Sequence, residues 1–195
     1  MRLDHIAYRV KDRHKTAEFF KNAFGYEIGI KFQIEFDDDS TADCLALVPP
    51  ETRHSNTNLW TYFSLQADPH GSHSNSVYRS AGSIKSEYHA PPEIFISDGP
   101  ENSIVGDWVA HRDNVGGIHH IAYQVDDVVA KMQEWKDAGY AEFLSELPLE
   151  CPGLKQVFTK PSELTGVIYE LISREGKGFC EQNVKALMES TSDAK

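Results

Sequence analysis

LDHIAYRVKD at residues 3–12 and IHHIAYQVDD at residues 118–127 agree at six of ten positions without a gap. This is an internal duplication. The correspondence continues past both segments: Asp12 and Asp127 are placed to N-cap helices reading TAEFFKNAF and VAKMQEWKDA, and Gly25-Tyr26 and Gly139-Tyr140 supply matching stops. Ala17, Phe20 and Phe24 recur at helical spacing in the first helix, and Val128, Met132 and Trp135 in the second, so each helix has one face for a sheet. Strand-like runs follow: EIGIKFQIEF, DCLALV and EIFIS in the first half, AEFLSEL, KQVFTK and GVIYELIS in the second. The pattern predicts an α+β fold of two βαβββ modules, a cupped, mixed eight-stranded sheet with helices outside.

Residues 1–100 form the first module, with a His-, Ser- and Asn-rich insertion at about 51–92 that reads as a loop excursion or lid. Residues 101–178 are a linker and the second module, and 179–195 a closing helix carried by Val184, Leu187 and Met188, ending in a polar tail.

A chain of 195 residues that is 40% hydrophobic is long enough for a proper core and short for two large domains. Its formal charge of -11 repels phosphate backbones and anionic lipid, which argues against nucleic-acid and membrane partners. With no apolar leader after Met1 and no long apolar run, the reading is a soluble, cytoplasmic protein. Cys44, Cys151 and Cys180 match no disulfide framework and no Cys-x-x-Cys motif, so they read as reduced, mostly buried thiols. Asp37-Asp38-Asp39 lacks the Gly and Glu of a calcium loop and reads as a hairpin turn, and His70, His73 and His89 as part of a solvated loop.

Strand parity sorts the repeated segment. Ile6, Tyr8 and Val10, like Ile121, Tyr123 and Val125, face the helices. His5, Ala7 and Arg9, like His120, Ala122 and Gln124, face a solvated cup. A histidine at the same position of two duplicated strands brings His5 and His120 together across a pseudo-twofold axis. Glu170, a carboxylate inside the apolar run GVIYELIS, costs several kcal/mol to desolvate unless it is paired or binds a cation.

In these motifs the chain resembles the vicinal oxygen chelate superfamily, whose paired βαβββ modules hold a divalent metal in the cup. The resemblance covers nearly the whole chain outside the insertion. It implies His5 in LDHIAY, His120 in IHHIAY and Glu170 in VIYELI as metal ligands, and a homodimer is common among its members. His119 alternates to the other face, as a structural or supporting residue. The stretch QVFTKPSELTGVIYELISR and the tail GKGFCEQNVKALMES resemble 4-hydroxyphenylpyruvate dioxygenases. There the resemblance implies Gln156 as a catalytic, substrate-binding residue, with Gln124, Phe179 and Asn183 completing the pocket. The stretch from Gly99 to Asp127 is about as similar to methylmalonyl-CoA epimerases.

Two His and one carboxylate leave three positions open on an octahedral Fe(II), enough for a chelating 2-oxo acid and O2. That favours an Fe(II)- and O2-dependent oxygenase acting on a small organic acid, with Co, Mn, Ni, Zn or Mg as alternative metals. The alternative is an epimerase- or glyoxalase-like isomerase or lyase whose metal stabilises an enolate. An approximate alignment puts Cys44 where the epimerases carry a carboxylate base, with Asp43 beside it, and leaves Glu93 nearest the position of their Gln ligand. A non-catalytic, antibiotic-sequestering binding protein is the third reading.

Overall fold

In the computed structural model, which describes residues 1–49, 92–175 and 179–192, the two copies of the repeated segment become neighbouring central strands. The first module contributes β1 (Arg2–Val10), α1 (Arg13–Phe24), β2 (Glu27–Glu35), β3 (Thr41–Val48) and β4 (Glu93–Asp98). After α2 (Ile104–Ala110), the second contributes β5 (Gly116–Gln124), α3 (Val128–Asp137), β6 (Leu149–Cys151), β7 (Leu154–Phe158) and β8 (Ile168–Arg174), and α4 (Glu181–Ser190) closes the chain. The strands make one mixed sheet, ordered β2-β3-β4-β1-β5-β8-β7-β6, which curls into a half-barrel. β1 runs parallel to β4 and β5 parallel to β8, while β1 and β5 meet antiparallel at the centre.

The helices start where the aspartates put them. Asp12 accepts from the Lys15 backbone N–H and Asp127 from that of Ala130, both at 3.0 Å, and Gly25 ends α1 in the left-handed conformation. On the outer face Ile6, Tyr8 and Val10 pack with Ala17, Phe20, Leu45 and Ile96, and Val125 packs with Val128, Met132, Val157 and Leu171. Phe24 departs from its expected face and is 55% exposed.

Four further expectations are corrected. AEFLSEL is not a strand: Phe143 makes a single bridge to Thr159, and the strand is Leu149–Cys151. The Pro152-Gly153 turn, with Gly153 at φ 72°, pairs β7 with the three residues directly before it. The linker contains a helix, α2, whose N-cap Ser103 accepts from the Gly106 N–H at 3.0 Å. The cup is partly filled from within: Val105 and Trp108 from α2 and Val184 and Met188 from α4 pack over Ala7, Cys44 and Phe95 on its concave face, so of the described helices two lie inside and two outside. Cys151 and Cys180 are not free thiols but a disulfide tying β6 to the start of α4, while Cys44 is free and buried. The insertion, with His70, His73 and His89, lies outside the described residues.

Candidate metal centre

His5 on β1, His120 on β5 and Glu170 on β8 converge at the middle of the concave face. Register explains it: Ala7 is the partner of His120 and Ala122 of Glu170, and His5 is the partner of Ala122, so small alanines leave room for three large side chains between them. His5 Nε2 lies 3.2 Å from His120 Nε2 and 3.2 Å from Glu170 Oε2, and His120 Nε2 lies 3.3 Å from the same oxygen. All three residues are buried.

A near-equilateral triangle of donors tests the fit of a metal directly. An ion about 2.1 Å from each donor would subtend about 100° between them, within the range of octahedral and tetrahedral sites. The two nitrogens and one anionic oxygen suit a borderline divalent cation, and the residues present fit the group.

The pairing of β1 with β5 carries two irregularities, one beside each histidine. Asp4 is skipped between the Leu3–Tyr123 and His5–Ala122 pairs, and His119 between the Ala7–His120 and Tyr8–Ile118 pairs. Each extra residue turns onto the concave face, which corrects the expectation that His119 alternates outward. The result is symmetric in function. His5 Nδ1 donates to Asp4 Oδ1 at 2.8 Å, and His120 Nδ1 lies 2.9 Å from His119 Nδ1. With both Nδ1–H groups donating outward, as this network assigns them, both Nε2 atoms face the site. Asp4 is held in turn by Arg174, whose Nη2 donates to Asp4 Oδ1 at 2.7 Å and to Glu93 Oε2 at 3.0 Å.

Burial disfavours the charged form of Glu170, but the His5 charge and hydrogen bonds from both histidines outweigh it and hold its carboxyl down at about 2. Burial likewise works against the proton on His5, while Glu170 and Asp4 raise its pKa to about 9. His120 is lowered, first by burial and then by the His5 and Arg9 charges against the pull of Glu170, and burial and Arg9 push His119 well below its ordinary value. The metal-free site therefore holds a carboxylate and one proton on His5.

His5, His120 and Glu170 themselves line a cavity on the concave face. Gln156 on β7 and Phe179 ahead of α4 line it, and Phe179 packs edge-on to His5 at 5.0 Å. Gln124 and Asn183 are not among the lining residues: Gln124 accepts from Arg2 at the surface, and Asn183 sits 3.3 Å from the sulfur of Cys151. Arg9 and His119, which the sequence reading left without a site role, do line it. For Arg9 the signal was available in the repeat, where it shares the parity of His5.

The groups at the positions of the epimerases' base and extra ligand are spoken for. Burial pushes the Cys44 thiol far up, so it stays protonated. Asp43 accepts from Arg13 and Gln33, each at 2.9 Å, at the outer end of β3. Glu93 is in register with His5 but bound to Arg174.

The family model of the glyoxalase/bleomycin resistance protein/dioxygenase superfamily matches residues 4–149. The mitochondrial methylmalonyl-CoA epimerase of Homo sapiens is 24% identical over 171 residues, 87% of this chain and 72% of that protein. The ethylmalonyl-CoA/methylmalonyl-CoA epimerase of Cereibacter sphaeroides is 25% identical over 171 residues, 87% of this chain and 96% of that one. Among solved structures, a 4-hydroxymandelate synthase variant from Streptomyces coelicolor superposes with a TM-score of 0.67 at 20% identity, over 98% of this chain and 53% of that chain. A methylmalonyl-CoA epimerase from Mycobacterium tuberculosis gives 0.55 at 17% identity, over 89% and 88%.

Proposed function

Because the chain belongs to the glyoxalase/bleomycin resistance protein/dioxygenase superfamily, we propose that it is a metal-dependent enzyme that moves a proton on the carbon beside a carbonyl of a small organic acid or its thioester. The observation that carries a metal chemistry is the buried triad of His5, His120 and Glu170, with each histidine oriented by its own partner. The curated epimerase relatives support proton transfer over the oxygenase reading that the motifs favoured, and reverse their order. His5, His120 and Glu170 would hold a divalent ion, which would supply Lewis-acidic positive charge to the substrate's carbonyl oxygen.

The chain's own residues do the rest. Asp4 and His119 fix the two imidazoles, and Phe158 and Phe179 give the cavity an apolar wall. The Gln156 amide faces the same space and binds a substrate oxygen. Among the described residues Glu170 is the one carboxylate lining the cavity, and both histidines hold it ionised as the anionic ligand of the triad. The experiment is solvent-deuterium exchange at the α-carbon of methylmalonyl-CoA by protein loaded with Co(II) or Mn(II). Exchange abolished by Glu170→Gln supports the reading, and its absence across short acyl-CoA esters and 2-oxo acids overturns it.

A second reading, the Fe(II)- and O2-dependent oxygenase, is favoured by one feature of the site: the position of the epimerase base holds the protonated thiol of Cys44. Oxygen uptake coupled to CO2 release from aryl 2-oxo acids would establish it in place of the first.

A further inference from the structure

Arg9 is 2% exposed, lines the cavity, and has no carboxylate partner among the described residues. Its Nη2 donates to Thr191 Oγ1 at 2.9 Å, at the C-terminal end of α4, but its Nη1 has no hydrogen-bond partner among them. An uncompensated guanidinium in a protein interior is costly, so a cation left in this state points to an anion that arrives from outside. His119 repeats the observation independently. Its Nδ1 is engaged with His120, which leaves the proton on Nε2, and that buried nitrogen also has no partner. Both groups lie against Trp108, Arg9 at 5.7 Å and His119 at 5.6 Å from its ring, and Arg112 stacks on the same ring at 3.7 Å.

Two unpaired donors, one of them charged, therefore belong to residues that line the same cavity as the metal triad. We propose that Arg9 Nη1 and His119 Nε2 form a carboxylate subsite, and that the physiological ligand is a dicarboxylic acid or its 2-oxo derivative, one end at the triad and the far carboxylate on Arg9. This rests on the metal reading for the near end only. His5 and Arg9 lie four residues apart on one strand face, about 13 Å along the strand, and the long arginine side chain shortens that span for the ligand. Burial, and after it the Arg112 charge, lower the Arg9 guanidinium to about 9, so it remains charged at neutral pH. A carboxylate accepting from it makes a charge-assisted hydrogen bond in a site shielded from water, where such bonds are strong. Methionine at this position would pack the same volume without the charge and line the cavity with an apolar side chain.

The test compares ligands matched except for the far carboxylate: glutarate with pentanoate, and 2-oxoglutarate with 2-oxopentanoate, by calorimetry on the full chain at neutral pH. In the metal-free protein, glutarate should bind wild type about tenfold to a hundredfold more tightly than pentanoate, and Arg9→Met should erase that difference. Loading with Zn(II) should add affinity to both 2-oxo acids while leaving the advantage of the diacid in place. Arg9→Lys, which keeps the charge but loses the fork, should retain part of the preference. Equal binding of glutarate and pentanoate to wild type would overturn the proposal without any variant, and so would an Arg9→Met protein that keeps the preference. If Zn(II) fails to add affinity while glutarate is still preferred, the metal reading has failed and the carboxylate subsite stands.

Discussion

Between pH 6 and pH 8 the affinity for a divalent metal should rise about a hundredfold. In the metal-free site His5 carries a proton that burial opposes but the Glu170 and Asp4 carboxylates hold, raising its pKa to about 9. His120, lowered chiefly by burial, gives up its proton before His5 does. A metal takes His5 Nε2 only after that proton leaves, so below pH 9 each unit of pH changes the apparent affinity about tenfold, or about 1.4 kcal/mol. The sign follows from the raised pKa: the proton competes fully at low pH, loses ground as pH rises, and stops competing above about 9. A histidine at its ordinary value would confine the slope below about pH 6.5. The discriminating window is therefore pH 7 to 8.5, where Zn(II) or Co(II) affinity can be measured by competition with a chromophoric chelator of known pH dependence. A slope near one log unit per pH unit is expected there. A flat profile would refute the argument that Glu170 and Asp4 hold the proton on His5.

Glu170→Gln removes the only anionic ligand of the triad and should weaken metal binding by more than the roughly 10- to 100-fold typical of losing an outer partner, read as metal content after dialysis. Cys180→Ser opens a loop closed across 29 residues and should cost about 3–4 kcal/mol, lowering Tm by about 10 °C, with dithiothreitol reproducing the shift in the unaltered protein. Unchanged Tm in both experiments would mean that the bond contributes nothing to the native state. Gly116 sits at φ +84°, where an added Cβ would strike the Arg9 carbonyl oxygen, so Gly116→Ala should destabilise by more than about 1 kcal/mol in urea unfolding.

The fold was legible because duplication and parity are both written in the chain. Six shared residues between the two central strands placed two histidines at equivalent points, and an isolated carboxylate in the apolar run GVIYELIS marked the third member of the triad. What escaped was set by pairing rather than by pattern. Alternation assigned His119 to the outer face, and a skipped residue in the β1–β5 ladder reversed it. Asp4 carries the same irregularity and was passed over for the same reason. The helix Ile104–Ala110 has seven residues with a glycine in its first turn, too short and too weakly periodic to stand out from a linker. The disulfide joins cysteines 29 residues apart in no motif, and only the docking of the last helix against β6 brings them together. Gln124 has the right parity for the cup but lies at the end of β5, where Arg2 takes its side chain.

The antiparallel contact between β1 and β5 also sets when the site can exist during folding. Ala7 and His120 are neighbours in the ladder yet 113 residues apart in sequence (120 minus 7), so the two histidines meet only after a long loop has closed. The β2–β3 and β6–β7 hairpins need no such closure and can form from local chain alone. Each half of the molecule can thus reach much of its own secondary structure while holding one histidine and no complete donor set. During synthesis Glu170 is the last of the three to leave the ribosome, and until it does the triad has only its two imidazoles to offer a metal. Metal capture is consequently a late event, and the rate at which refolding protein takes up Zn(II) reports closure of the central seam rather than formation of either half.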